Sequence, residues 1–512
     1  VKLAHCVLPA CAFFIVSAAC ASAEWRPPDL RPSSASQTEV LAAYAKATGA
    51  VEPRFAQRRE RWTYVNGPRR LPVAVTVRGA DFRAALALGT AQYSAGRSNG
   101  VRWRADGNGI THATLSDDQG DALDRLPQSI FPFATADCEL AGESSRFGAA
   151  WVLVDRAPRD KPHWLYIDKA SGAIAHEITR EGARTIVTAF DAFDAVTGAT
   201  RPRHWRVSDG DAANDLDVTV DAVQPEALGE IDVAIPQVRR TFAAANPPAN
   251  GVVRLPATFT RSTIVVDVDL DGQHTPFILD TGTASITLDR KVAEGRGWSP
   301  VLEHATVPRM AVGALALSDV STLAIPFGRG GILGYDFFAG HVLHIDYGHA
   351  VVEVLTPESA RPVFADGAND VMAAYFDEGI PLVRAAFGAA SGDRFVLDTG
   401  SSSLYVMEPF AHRYAAEIAA HWGPATFPGG RARRDSQYLE GSIAVNARRA
   451  ALFMLGPWTF QNVVVGVQGE NPRPDALDMW FDGIVGTNEM APLEWWFDFD
   501  GGRIAVRRNG VR

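Results

Sequence analysis

Cysteine is nearly absent from this chain. Of 512 residues only four are cysteine, and Cys6, Cys11 and Cys20 crowd into the first twenty. That leading stretch reads as an export signal: Lys2, an apolar run from about Cys6 to Ala19, and Ala21-Ser22-Ala23 before Glu24 as a small-residue cleavage site. Cleavage after Ala23 leaves Cys138 alone, which excludes an intrachain disulfide and a cysteine metal cluster. Lipidation at Cys20 is the weaker alternative, because Ser17 stands where a larger aliphatic residue belongs. The apolar run is too short to anchor the chain, so no stable membrane insertion is expected once the signal is gone. Positive charge is also in short supply. With 49 Lys and Arg against 59 Asp and Glu, the net charge is −10 and the pI near 5.7. No basic run alternates with aromatics, so a nucleic-acid partner is not expected. His341 and His344 lie near Asp346 on an expected strand without a third convergent ligand. No metal and no cofactor are expected.

What remains is a globular composition, 47% hydrophobic with a mean hydropathy of −0.04, on a chain too long for one core. Within it one segment occurs twice. Phe277-Ile278-Leu279-Asp280-Thr281-Gly282-Thr283 returns as Phe395-Val396-Leu397-Asp398-Thr399-Gly400-Ser401, each copy followed by further hydroxyls and an apolar stretch. Asp and Gly also form ordinary hairpin turns, but the repetition extends beyond the turn. Gly331-Ile332-Leu333-Gly334 leads to His344-Ile345-Asp346-Tyr347, and Gly483-Ile484-Val485-Gly486 leads to Trp496-Phe497-Asp498-Phe499. The same parts in the same order signal a repeated β unit, with an insertion in the second copy.

These motifs resemble the aspartic peptidases of the retropepsin-like and pepsin-like clan, most nearly the bacterial secreted aspartyl protease family with two lobes. The initial Val, read as an alternative start codon, suits such a bacterial source. The resemblance covers about Gly251 to Arg512. It implies two β lobes forming a pseudo-dimer, 251–360 and 361–512, with Asp280 and Asp398 as the catalytic dyad. Thr281 and Thr399 would hold the turns together, and Gly282 and Gly400 would let a backbone amide approach each carboxylate. Thr283 and Ser401 either donate to the outer carboxylate oxygens or cap local turn amides. Two adjacent carboxylates cannot both ionise, so they offer water a base and a carbonyl an acid. In the position of a substrate-covering flap, Lys291–Arg309 shows little alternation. In the second lobe Gln437–Val445 suggests a hairpin around Glu440-Gly441, with Tyr438 as flap candidate.

The region 24–245 carries no such motif. A helix is expected over Gln37–Thr48, with Val40, Leu41, Tyr44 and Ala45 on one face. Strands are expected over Trp103–Ala105, Ala149–Val154, His163–Ile167, Ala173–Ile178, Ile186–Phe193 and Arg203–Val207, a meandering antiparallel sheet. The run Trp164 to Gly172, with Phe190 and Pro202, looks like the curved half-barrels of periplasmic lipoprotein carriers. That implies a surface for an acyl chain or extended peptide, although a structural or substrate-presenting appendage is preferred. The boundary is expected in Ala243–Asn250, a small-residue linker containing two prolines.

The sequence therefore leads to a mainly β, exported aspartic endopeptidase, periplasmic or extracellular, acting on a peptide or protein substrate. The rivals are a non-catalytic periplasmic binding or assembly protein that retains the lobes, and a lipid- or peptide-binding protein led by the N-terminal domain.

Overall fold

The computed structural model describes residues 26–509 apart from 90, 115–137, 156–162, 182–183, 211, 213–214, 238, 261, 302, 329, 378, 439–440 and 469–480. The segment read as a signal, Cys20 included, lies outside the described residues. The chain is mainly β and divides into two compact units. The first comprises 1–86, 94–104 and 113–235; the second comprises 87–93, 105–112 and 236–512. No helix among the described residues is long and apolar enough to cross a membrane.

A 13-stranded sheet runs through the N-terminal half. Its two meanders, Gln57–Thr114 and Cys138–Pro225, join where Gln57–Asn66 pairs antiparallel with Leu216–Pro225. Tight turns set the register. Ser98 and Val101 are joined by Asn99 (φ 51°) and Gly100 (φ 78°), the two positive φ values that suit Asn-Gly in a hairpin. The helix Gln37–Thr48 begins with a capping box of Ser36 and Glu39. Its buried stripe is Val40, Tyr44 and Thr48, one residue every fourth; Ala45, expected on that face, is exposed.

The strand Gln57–Asn66 hides the chief surprise. Every second residue from Arg58 to Tyr64 is buried, and two of those residues are charged. Glu60 receives Arg58 at 2.6 Å, Arg201 at 2.8 and 3.1 Å, and the Trp62 indole N–H at 2.7 Å. Burial alone raises its carboxyl, but the charges of Arg201 and Arg58 outweigh that and hold it below the ordinary value.

In the second unit, eight-stranded and nine-stranded sheets repeat one wiring. Phe277, Ile278 and Leu279 pair in parallel with Gly331, Ile332 and Leu333, as Phe395, Val396 and Leu397 do with Gly483, Ile484 and Val485. The glycine frame has a steric cause. A Cβ on Gly331 would stand 2.1 Å from the Phe277 ring, and one on Gly483 would stand 2.3 Å from the Tyr405 carbonyl oxygen. A six-stranded sheet then draws on both halves, pairing Val342–Asp346 with Leu493–Asp498. One buried cluster, including Leu279, Phe337, Phe395, Trp495 and Phe497, runs beneath these sheets.

Glu60→Gln leaves two buried guanidinium groups without their counter-charge and should cost about 3–5 kcal/mol at pH 7. Because the folded carboxyl lies below its unfolded value of 4.5, its stabilisation is complete above that pH and is lost as pH falls through the folded pKa. Urea midpoints measured against pH should show this acid loss in the parent and lack its Glu60 component in the variant.

Candidate functional site

The two repeated turns meet. Each parallel strand pair delivers its Asp the same way, with the Asp280 N–H donating to Leu333 O and the Asp398 N–H to Val485 O, both at 3.0 Å. Beneath the carboxylates the turns are laced by four reciprocal bonds. Thr281 Oγ1 donates to Leu397 O at 2.7 Å and accepts from the Thr399 N–H at 3.1 Å. Thr399 Oγ1 donates to Leu279 O at 2.8 Å and accepts from the Thr281 N–H at 3.1 Å. Both threonines are at most 1% exposed, so these polar groups have no recourse to water.

This lacing presses each turn onto the opposite carboxylate. A Cβ at Gly282 would fall 2.7 Å from Asp398 Cγ, and one at Gly400 would fall 2.3 Å from Asp280 Oδ2. The Gly282 N–H donates to Asp280 Oδ1 at 2.8 Å; the Gly400 and Ser401 N–H groups donate to Asp398 Oδ1 at 2.7 and 3.0 Å. The two carboxyls lie close enough to act on one another. Burial raises both above the ordinary carboxylate range, Asp398 the further because the Asp280 charge adds to it. Two raised carboxyls in contact favour a proton shared between them.

The hydroxyls diverge. The Thr283 hydroxyl favours the charged form of the Asp280 carboxyl, whereas Ser401 Oγ turns away to Ser403 O at 3.3 Å and only its N–H reaches Asp398. The segment Lys291–Arg309 holds all but the first residue of the helix Arg290–Gly295 and most of the strand His304–Val312. In the second half Arg433–Tyr438 pairs with Gly441–Leu455, Tyr438 opposite Gly441. The tip, 439–440, lies outside the described residues, as does the Tyr438 side chain. Arg434 ties this hairpin down: it donates to Ser403 Oγ at 2.9 Å and to the Tyr405 hydroxyl, and lies 4.2 Å from the Phe427 ring centre.

Tyr347 is a site residue that sequence reasoning missed. Its phenol is pushed far above its ordinary value by burial and then by the Asp398 charge, and its hydroxyl has no hydrogen-bond partner among the described residues. It lines a cavity of about 130 Å³ with Phe259, Ile264, Thr487 and Asn488. The repeated Asp-aromatic pair, Asp346-Tyr347 and Asp498-Phe499, was the available signal. His344 is engaged elsewhere, between Glu353 at 3.0 Å and Glu494 at 2.9 Å.

No protein-family model matches the chain, and no curated protein matches it. Among solved structures it is similar to a LolA superfamily protein from Nitrosomonas europaea, at 12% identity over 39% of this chain and 98% of that one, with a TM-score of 0.30. An outer membrane lipoprotein-sorting protein domain from Vibrio parahaemolyticus gives 10% identity, 38% and 94% coverage, and 0.30. An aspartic proteinase from Irpex lacteus gives 11%, 51% and 98%, and 0.31. The peptidase assignment does not stand. Membership of the aspartic-peptidase clan, the endopeptidase activity and the enzymatic reading are withdrawn: no family model or curated protein supports them, and a proteinase likeness at a TM-score of 0.31 carries none of them.

Two substitutions probe the pair. Asp398→Asn keeps an acceptor for Gly400 and Ser401 and offers Asp280 a permanent donor, so it removes the cost of crowding two acids. With both carboxyls raised, parent stability should fall as pH climbs from the unfolded value of 3.8 through the folded pKa values. Calorimetry at pH 7 should place the variant about 2–4 °C above the parent. Thr399→Val strands Leu279 O and the Thr281 N–H at a cost of about 1–3 kcal/mol for each, whereas Thr399→Ser should restore most of the loss in chemical denaturation.

Proposed function

We propose that the chain is an exported, non-catalytic binding protein, periplasmic or extracellular, whose N-terminal sheet takes up the acyl chain of a lipid or lipidated partner. Export rests on the leader segment 1–23. The domains are read as 24–245 for the sheet, with 251–360 and 361–512 as two lobes of the acid-protease type kept as a scaffold. Within that scaffold Asp280, Asp398, Thr281, Thr399, Gly282, Gly400, Thr283 and Ser401 form a proton-sharing junction, and Tyr438 tops a hairpin beside it.

One observation carries the reading. Cross-strand registers align Phe190, Trp205 and Val218 in one row, and Val220, Trp62, Val73 and Leu86 in the next. All seven are buried. Thirteen strands spaced about 4.8 Å apart would span roughly 60 Å, whereas a 12-residue helix is about 18 Å long. Gln37–Thr48, the one α-helix of the first unit among the described residues, is too short to cover such a face. A wide antiparallel sheet resolves this by curling its apolar side inward, and a curled sheet with an aromatic interior suits a chain of methylene groups.

Titration of the purified protein with a fluorescent fatty acid, then displacement by an unlabelled long-chain one, should give saturable binding with quenching of tryptophan. Ala84→Trp, which fills the same interior, should weaken it about tenfold, equivalent to about 1.4 kcal/mol of overpacking. Asp280→Asn should leave binding unchanged. Absence of saturable binding would sink the proposal. So would peptide cleavage by the parent that disappears in Asp398→Asn, since it would return the junction to catalysis.

A further inference from the structure

A second pair of acids sits behind the first turn, and neither composition nor motif reading singled it out. Asp336 opens the helical turn Tyr335–Phe338 and is 4% exposed. Its N–H donates to Ala284 O at 3.0 Å, and its Oδ2 accepts from the Ile286 N–H at 3.2 Å and from Asn108 Nδ2 at 3.4 Å. Its other oxygen, Oδ1, is buried with no hydrogen-bond donor among the described residues. The stretch Ala105–His112, which belongs to the same compact unit, brings Asp106 and His112 to this place. Asp106 Oδ1 is held by the Asn108 and Ile110 N–H groups at 2.8 and 2.9 Å, which fixes the carboxylate. Asn108 fixes the loop in turn, its side chain donating to Ser321 O at 2.8 Å and accepting from the Ser321 N–H at 2.9 Å.

One ligand atom from each of Asp106, His112 and Asp336 lies within 4.8 Å of the other two. We propose that these three side chains form a binding site for a divalent transition-metal cation. Two carboxylates and an imidazole match the donor preferences of zinc, and the nitrogen sets the site apart from all-oxygen calcium or magnesium sites. Tetrahedral zinc bonds of about 2.0–2.2 Å place ligand atoms about 3.4 Å apart, so three groups already within 4.8 Å would draw in by up to about 1.4 Å, and water would complete the shell. The cation would supply the positive charge that two facing carboxylates in a buried setting lack, and give Asp336 Oδ1 its partner. Without it the Asp336 carboxyl is driven well above its ordinary range by burial and the Asp106 charge, so a shared proton is the competing occupant.

The test is equilibrium dialysis of the full-length protein, stripped with chelator, against zinc chloride at neutral pH, with bound metal counted by atomic emission and melting followed in parallel. One zinc per chain and a rise of several degrees in Tm are expected at zinc well above Kd. Asp336→Asn should weaken zinc binding by about 100-fold or more, beyond the loss typical of outer-shell partners. His112→Ala, which leaves both acids in place, should do the same should Asp336→Asn fold poorly. Asp280→Asn should bind zinc as the parent does. Failure of the parent to bind zinc, leaving the pair to its proton, would overturn the proposal, as would zinc binding that survives both Asp336→Asn and His112→Ala.

Discussion

Everything in the second unit hangs on the exchange of hydroxyl and amide between Thr281 and Thr399. Each hydroxyl donates to a carbonyl of the opposite half and accepts from the opposite threonine's N–H. Such a lattice tolerates little displacement, because all four bonds are buried and each lost partner would stay unsatisfied. The closeness of the carboxylates, the need for glycine opposite each, and the joint retention of a proton follow from this one constraint. A side chain at either glycine would have to push the lattice apart.

The repeat made this junction legible. Identical spacing of Phe, apolar, Leu, Asp, Thr and Gly in two places points to the same parallel pairing twice, because each framing glycine leaves room for the Phe ring of its partner strand. Other parts were hidden by chemistry that breaks the expected pattern. Gln57–Asn66 reads as a polar stretch, since Arg58 and Glu60 occupy inward positions usually filled by aliphatics; the pairing of Glu60 with Arg201 is made across more than a hundred residues. Ser401 occupies the same motif position as Thr283 yet turns its hydroxyl away, a rotamer choice that no local pattern dictates. The constellation of Asp106, His112 and Asp336 is likewise assembled from distant segments.

Function was less legible than geometry. A motif specifies backbone approach and proton sharing, and those are properties of a fold that can be kept for other purposes. Of the apolar rows on the N-terminal sheet, only Phe190 falls in a motif that the sequence singles out. They emerge only when strand registers are laid side by side, which is why a surface of that extent left so faint a trace in the linear chain.

The six-stranded sheet has a kinetic implication. Val342–Asp346 needs Leu493–Asp498 on one side, and His344 bonds to Glu494 across 150 positions. During synthesis the earlier strand emerges long before its partner exists, exposing an apolar edge that nothing local can cover. Closure of so long a loop is slow to nucleate. The nascent chain therefore passes through an interval in which it is vulnerable to pairing with other copies of itself, and its successful maturation depends on Leu493–Asp498 arriving before a neighbour does.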